Sequence, residues 1–170
     1  MRTSCLNRYL GLAVVLAAGI FSHSAFAAAG FKSGSTLPDL TGFKLEGKLP
    51  ADLKDKVVLL DFFASWCEPC KASFPVMEQL HKQYGPKGLV IIAVNVDEVK
   101  GDMEAFLKKN QVTFTVVRDG GQRLVEQAGI ATMPTSFLVG RDGKIVSVHS
   151  GFKGEETRKK YAQEIEGLLK

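Results

Sequence analysis

A pair of cysteines two residues apart is the feature that most limits how this 170-residue chain can fold. It lies in Trp66-Cys67-Glu68-Pro69-Cys70, just after the apolar segment 57–64 and before a pattern of helical spacing. Such an apolar segment is typical of a strand buried on both faces of a parallel or mixed sheet. A cysteine pair at a strand-to-helix junction can open and close a disulfide. The sequence therefore predicts a redox site at the end of a central strand.

The first 27 residues have the pattern of a secretory signal peptide. Arg2 and Arg8 form a basic region, residues 10–21 are apolar, and Ala25-Phe26-Ala27 places small residues where signal peptidases cleave. The alternative is an uncleaved membrane anchor, but this apolar segment is shorter than the roughly 20 residues that span a bilayer. We therefore expect cleavage after Ala27, export to the periplasm, and a mature domain over residues 28–170.

Charge and cysteine content narrow the function classes. Loss of residues 1–27 removes two arginines and no acidic residue, so the formal net charge falls from +4 to +2. The remaining lysines are interspersed with acidic residues, which argues against nucleic acid as a partner. Cys5 leaves with the signal, and the two cysteines that remain close too short a loop to stabilise the fold much. We expect the pair to serve chemistry rather than stability.

The rest of the mature chain predicts one α/β domain. Residues 28–56 are rich in Gly, Ser, Thr and Pro and are expected to form an irregular N-terminal arm with a short hairpin. Further strands are predicted at 89–96, 114–117, 135–139 and 144–149, the last two joined by a turn at Asp142-Gly143. Helices are predicted at 70–84 with a kink at Pro75, at 102–109 and at 155–169, with a brief helix or turn at 122–128. This order predicts a central mixed sheet flanked by helices.

Several positions together resemble the thioredoxin fold. Trp66-Cys67-x-x-Cys70 ends the first core strand, Pro75 follows five residues later, Met133-Pro134-Thr135 opens the hairpin, and Asp61 precedes Cys67 by six residues. The chain looks most like the exported TlpA/ResA-like branch of that fold, on the basis of Leu37-Pro38-Asp39-Leu40, the Trp-Cys-Glu-Pro-Cys-Lys centre and Phe74-Pro75. The resemblance covers residues 35–170. It implies a thiol-disulfide oxidoreductase that uses no cofactor.

The resemblance implies different roles for the two cysteines. Cys67 would lie at the first turn of a helix, where free backbone amides and the helix dipole lower the pKa of a thiol below about 8.5, so it is the expected nucleophile. Cys70, one turn on, would release the client by attacking Cys67. Glu68 puts a negative charge beside Cys67 and so favours a reductant over an oxidase, unless it is only a surface residue. Pro69 occupies a helix-start position where its missing N–H costs nothing.

Asp61 is the one charge in the central strand, and burial is expected to raise its pKa. It is therefore a candidate acid and base for Cys70, with a solvated aspartate at the sheet edge as the alternative. In the ResA-like branch an asparagine is common at this position, and a glutamate is often found where this chain has Ser73. The acid-base role of that glutamate cannot be carried over, and Asp61 has less support from the resemblance than from its own chemistry.

Substrate contacts are expected from Trp66, Pro69 and Met133-Pro134-Thr135. A cis Met133–Pro134 bond would present a backbone edge to which a substrate strand can pair, whereas a trans turn proline is the alternative. Trp66 is expected to lie mostly in the core and to border the substrate groove. His81 and His149 are expected to be ordinary surface residues, and no metal site is expected because these histidines and the two cysteines lack the usual ligand spacing.

Three function classes remain. The favoured one is a periplasmic thiol-disulfide oxidoreductase that reduces client cysteine pairs. By resemblance its clients would be apocytochrome c or copper-site assembly proteins, and its electrons would come from a membrane thiol carrier of DsbD or CcdA type. A thiol peroxidase of peroxiredoxin type is disfavoured because Ala64 stands where that class needs threonine. A Cu(I) chaperone would need a third ligand that the sequence does not place.

Overall fold

The computed structural model describes residues 30–170, so the expected signal peptide and its cleavage site lie outside the described residues. The strands are β1 Val57–Phe63, β2 Leu89–Asn95, β3 Thr115–Arg118, β4 Thr135–Val139 and β5 Ile145–Ser150. The helices are α1 Glu68–Tyr84, α2 Lys100–Lys109, α3 Arg123–Ala128 and α4 Glu155–Leu169. Each predicted strand and helix is found within one or two residues of its expected ends.

The five strands form one mixed sheet in the order β3-β2-β1-β4-β5. β1 runs parallel to β2 on one side and antiparallel to β4 on the other. β3 extends the parallel part, and β5 forms the predicted hairpin with β4. The predicted α/β thioredoxin fold, with a central mixed sheet flanked by helices, is therefore confirmed.

The N-terminal arm differs from the prediction, because residues 30–56 contain no hairpin of their own. Instead Thr36 forms a bridge with Lys144, and Glu46 forms one with Arg118. A short 3-10 turn at Leu40–Phe43 lies between these two bridges. The arm thus uses the free ends of the sheet as its hydrogen-bonding partners, and this long-range pairing supplies the bonds that a local hairpin would have made.

β1 is buried along its whole length, and its side chains alternate between the two faces of the sheet. The ring of Phe63 lies 4.7 Å from that of Phe74 on α1 and 5.3 Å from that of Phe106 on α2. Helix α4 lies beside α1, since the hydroxyl of Tyr84 donates to Glu166 at 2.6 Å. α1, α2 and α4 therefore cover the face towards which Phe63 points.

The opposite face is covered by α3 and the start of the arm. Phe62 points to this face and packs edge-on against Phe137 of β4, with ring centroids 6.0 Å apart. Phe31 of the arm lies 5.4 Å from Phe137, and its backbone N–H donates to the carbonyl of Ala128 at the end of α3.

Each helix within residues 30–170 is too short or too polar to cross a membrane.

Phe74 is the most connected ring of the aromatic cluster under α1, with Phe63, Phe106 and Phe114 at 4.7, 4.8 and 5.6 Å. We predict that Phe74→Ala lowers the free energy of unfolding by about 3–5 kcal/mol, because it leaves a cavity among three rings. Urea unfolding of the oxidised protein measures this loss. Val99→Ala, at a 60% exposed position, is the control and should change stability by less than about 0.5 kcal/mol. Equal losses in the two variants would contradict the assigned core.

Candidate active site

The two cysteines of the motif are joined in a disulfide with a sulfur–sulfur distance of 2.02 Å and a Cα–Cα distance of 5.3 Å. Cys67 is the N-cap of α1, and its sulfur accepts from the backbone N–H of Cys70 at 3.2 Å. Its own N–H donates to the carbonyl of Ala64 at 3.1 Å, which closes the turn out of β1. Cys67 is 5% exposed and Cys70 is fully buried. An incoming sulfur can therefore reach Cys67 but not Cys70.

Asp97 holds the turn that precedes the disulfide. Both of its carboxylate oxygens accept from the backbone N–H of Ser65, at 3.0 and 3.1 Å, and Oδ2 also accepts from Asn95 Nδ2 at 2.8 Å. The guanidinium of Arg118 donates to the Asp97 carbonyl at 2.9 Å. Our sequence reasoning missed this cluster. Its signal was the pair of polar residues, Asn95 and Asp97, at the end of the apolar β2 strand, because the ends of neighbouring parallel strands meet at one edge of the sheet.

An open groove runs beside the exposed side of the disulfide. One wall is formed by residues 66–69 and the other by residues 130–133, which connect α3 to β4. Trp66 is 71% exposed, so the expectation that it lies mostly in the core is wrong. The reason is that β1 ends at Phe63 and Trp66 lies in the turn beyond it. Sequence reasoning placed Met133 on this groove but missed Ile130, Ala131 and Thr132.

The Met133–Pro134 peptide bond is cis. Of the three residues expected to bind substrate here, Met133 lines the groove, whereas Pro134 and Thr135 are buried. The Pro134 carbonyl accepts from the N–H of Gly151 at 2.7 Å, and the Thr135 hydroxyl donates to the Thr132 carbonyl at 2.7 Å. The structure thus gives Pro134 and Thr135 bonds that hold the loop, rather than atoms exposed in the groove.

Glu68 and Pro69 occupy the first turn of α1 and are exposed at the rim of the groove. The Glu68 carboxylate accepts from Lys71 Nζ at 2.7 Å, and its side chain is 83% exposed. Water and Lys71 therefore both weaken the field of Glu68 at the disulfide. Ser73, where a glutamate is often found in the ResA-like branch, is buried and donates to the Cys70 carbonyl at 2.9 Å.

Asp61 is 1% exposed, which excludes the solvated alternative. Since residues two apart in a strand share a face, its side chain points like that of Phe63, towards α1 and α4. Burial raises the pKa of Asp61 to about 7, although the Ser136 hydroxyl, which donates to Oδ1, opposes the rise. Among residues 30–170, Oδ2 has no hydrogen-bond partner.

The expectation that His149 is an ordinary surface residue is wrong. His149 is 7% exposed because it lies on the inward-facing side of β5, under α4. Its Nε2 lies 2.8 Å from Glu164 Oε2, and its ring packs edge-on against Tyr161 at 4.9 Å. His81 is half-buried on α1, with its ring 6.2 Å from that of Phe114. Both histidines belong to the packing of the helices.

Known proteins share both the sequence pattern and the fold. The Redoxin family pattern matches residues 32–165, which is most of the chain. The chain belongs to the Redoxin family. Among relatives of this Redoxin chain, the thiol-disulfide oxidoreductase ResA of Bacillus thuringiensis is 39% identical over 132 residues, covering 78% of this chain and 70% of the relative.

Two solved structures share the fold of this Redoxin domain. A Chlorobium tepidum protein assigned as the thiol:disulfide interchange protein DsbE is 38% identical, with a TM-score of 0.76 over 83% of this chain and 100% of that one. A secreted Mycobacterium tuberculosis disulfide oxidoreductase shares the fold, with a TM-score of 0.60 and 18% identity over 68% of this chain and 84% of that one. The predicted resemblance is thus confirmed: the chain is a ResA-like thiol-disulfide oxidoreductase with a Cys67–Cys70 disulfide.

The raised pKa of Asp61 predicts a pH-dependent stability. The folded carboxyl has a pKa of about 7 against 3.8 for the free group, so the folded state binds this proton more tightly than the unfolded state does. This contribution is present below pH 4 and is lost as pH rises to about 7, a loss on the order of 4 kcal/mol. We predict that Asp61→Asn, which cannot titrate, removes this decline and is more stable than the parent at pH 8.

Urea unfolding of the oxidised proteins at pH 4, 6 and 8 measures this effect. Asp102→Asn, which alters an exposed carboxylate on α2, is the matched control and should keep the parent's pH profile. Parallel pH profiles for Asp61→Asn and the parent would show that Asp61 ionises freely in the folded state.

Proposed function

We propose that this protein is an exported reductant of disulfides in client proteins, with Cys67 as the nucleophile and Cys70 as the resolving cysteine. The observation that carries the proposal is the asymmetry of the pair. Cys67 caps a helix and borders an open groove, whereas Cys70 is fully buried behind it. Free backbone N–H groups and the positive end of the helix dipole favour a thiolate at a helix N-terminus.

The exchange proceeds in two steps that conserve electrons. The thiolate of reduced Cys67 attacks one sulfur of the client disulfide, a bond forms between the two proteins, and the second client sulfur leaves as a thiolate. Cys70 then loses its proton, and its sulfur attacks Cys67. The Cys67–Cys70 disulfide forms and the first client sulfur leaves. The client gains two electrons, and the oxidised pair awaits a dithiol donor.

Asp61 is the proposed acceptor of the Cys70 proton. Its carboxyl is buried on the sheet face that α1 covers, and its pKa of about 7 lets it take up and release a proton near neutral pH. This protein has Ser73 where a glutamate is often found in the ResA-like branch. Asp61 would supply the proton acceptor in place of that glutamate.

The lining of the groove suits a protein substrate. Trp66, Pro69, Ile130 and Met133 give the groove apolar surface, on which side chains of an extended segment can pack. We propose that clients present a cysteine pair in such a segment. Apocytochrome c and copper-site assembly proteins are the proposed clients, and a membrane thiol carrier of DsbD or CcdA type is the proposed electron donor.

Export to the periplasm is proposed from the signal-like pattern of residues 1–27.

Two other functions are less well supported. Ala64, where a peroxiredoxin needs threonine, is fully buried and has no hydroxyl to offer a peroxide. A Cu(I) chaperone needs a third soft or imidazole ligand, and residues 30–170 contain no cluster of three or more His, Cys, Asp or Glu side chains that could hold a metal.

Client capture tests the proposed roles of the cysteines. We predict that Cys70→Ser, incubated in reduced form with an extract of exported proteins, forms mixed disulfides with clients, because the sulfur that releases them is gone. Non-reducing gels before and after dithiothreitol, followed by mass spectrometry, identify the adducts. Cys67→Ser is the matched control and should capture none. Capture by Cys67→Ser alone would reverse the assignment, and capture by neither variant would remove protein disulfides as substrates.

The reduction potential tests the direction of transfer. We predict a potential near that of thioredoxin, about −270 mV, rather than near that of a strong oxidant, about −120 mV, because a protein that reduces client disulfides needs a low potential. Glu68 opposes the Cys67 thiolate and so lowers the potential further, but only slightly. Glu68→Gln should raise the potential by about 10 mV, a small shift because water and Lys71 already screen that charge.

Equilibration with glutathione buffers, read by alkylation of the free thiols, measures both values. Glu104→Gln, at an exposed glutamate on α2 that is likewise paired with a lysine, is the control for loss of one surface charge and should leave the potential unchanged. A parent value close to that of a strong oxidant would reverse the proposed direction.

A further inference from the structure

A row of buried polar side chains crosses the sheet beneath α4. In the strand register, Asp61 of β1 stands opposite Ser136 of β4, and Ser136 stands opposite His149 of β5. Residues paired across strands place their side chains on the same face. Tyr161 of α4 covers the row, with its hydroxyl 2.7 Å from Ser136 Oγ. Buried polar groups in such a row are costly unless their hydrogen bonds are satisfied.

The direction of the hydrogen bonds follows from counting protons. Ser136 Oγ carries a single proton, which it donates to Oδ1 of Asp61. The Ser136 oxygen must therefore accept from its other neighbour, so the Tyr161 hydroxyl is the donor between them. The chain runs from Tyr161 to Ser136 to Asp61. It occupies Oδ1 and leaves Oδ2 as the oxygen without a partner among residues 30–170.

We propose that Ser136 and Tyr161 are positioning residues that hold the Asp61 carboxylate through Oδ1, so that Oδ2 is the atom that takes up the proton of Cys70. This inference rests on the proposed function, because it concerns the second step of that exchange. Cys70 gives its proton to Oδ2, its sulfur bonds to the sulfur of Cys67, and the client sulfur leaves as a thiolate.

The hydrogen bonds from Tyr161 through Ser136 are the principal source of stabilisation for the ionised Asp61 carboxylate, because its other neighbours offer little. β2 presents Ala93 opposite Asp61, which offers no polar side chain. The buried titratable groups of α1 are Cys70 and Tyr84, and Tyr84 is bonded to Glu166. Behind Tyr161 lie His149 and Glu164, which bond to each other. Within the described part of the chain, the Ser136 hydroxyl is the one hydrogen-bond donor that reaches the Asp61 carboxylate.

Three variants distinguish an effect of these hydrogen bonds from an effect of packing alone. Ser136→Ala removes the donor to Asp61, Tyr161→Phe removes only the donor behind it, and Ser136→Thr restores a hydroxyl at the same position. Thr157→Val, which removes another buried hydroxyl of α4, is the matched control because Thr157 bonds to the backbone of Lys153 and not to this row.

Two readouts follow the proton. The first is the carboxyl titration of Asp61 in the oxidised protein, measured by infrared difference spectra against Asp61→Asn. The second is the reaction of the reduced protein with 5,5′-dithiobis(2-nitrobenzoate), in which Cys67 releases one thionitrobenzoate and Cys70 releases the second. The pH dependence of the second release reports the deprotonation of Cys70.

We expect Ser136→Ala to shift both midpoints to higher pH by about one unit or more, because the charged carboxylate loses its donor. Tyr161→Phe should give a smaller shift in the same direction, and Ser136→Thr and Thr157→Val should match the parent. Unchanged midpoints in Ser136→Ala and Tyr161→Phe would overturn the proposal. A shifted Asp61 titration with an unchanged second release would also overturn it, since Asp61 would then not receive the proton.

The proposed function can fail separately. Client capture by Cys70→Ser needs no proton acceptor, so its failure would reject protein disulfides as substrates while the titration of Asp61 still reports on Ser136. Conversely, normal capture with unshifted midpoints would retain the reductase and reject only the positioning roles. If Ser136→Ala does not fold, Tyr161→Phe and Ser136→Thr still give the comparison.

Discussion

The burial of β1 is the constraint on which the rest of the structure depends. A strand with neighbours on both sides and helices on both faces can carry hardly any polar side chain, and six of its seven residues are apolar. Its C-terminal end is the point at which the chain leaves the core. The Cys67 N–H closes a turn onto Ala64 there, and α1 starts at once, so Cys67 becomes the helix cap. The reactive sulfur is held by the same core that fixes the strand.

One polar residue lies in the middle of this apolar strand. Asp61 contributes a carboxyl to an apolar face, and the fold meets its cost in two ways. The pKa rises to about 7, so the group can be neutral when folded, and the cross-strand neighbour Ser136 supplies one hydrogen bond. A hydrophobic residue at this position would avoid the cost. The retained carboxyl thus offers what the apolar core cannot, a group that exchanges a proton inside the protein.

The sequence alone was sufficient for the features that depend on local pattern. The apolar run 57–64, the cysteine spacing and the Asp142-Gly143 turn predicted the central strand, the helix junction and the hairpin. Burial of Asp61 was the favoured prediction because the segment around it is apolar, and the structure then excluded the alternative of a solvated aspartate at the sheet edge. These inferences needed no knowledge of which distant segments meet.

Most of the errors concern contacts between distant segments. The Trp66 error is local, because this apolar residue lies in the turn beyond the end of β1 and faces the groove. His149 is buried because α4, which follows it in the chain, folds back over β5. Ser136 has no sequence signal of its own, since its meaning comes from the antiparallel register that sets it opposite Asp61.

The arm shows why such contacts matter for the site. Glu46 of the arm pairs with Arg118 through both backbone and side chain. The Arg118 guanidinium also donates to the Asp97 carbonyl, and the Asp97 carboxylate accepts from Ser65, two residues before Cys67. A continuous set of hydrogen bonds thus joins the arm to the turn that carries the disulfide. Because this set ends at the Ser65 N–H, two residues before Cys67, the arm forms part of the frame that fixes the position of Cys67.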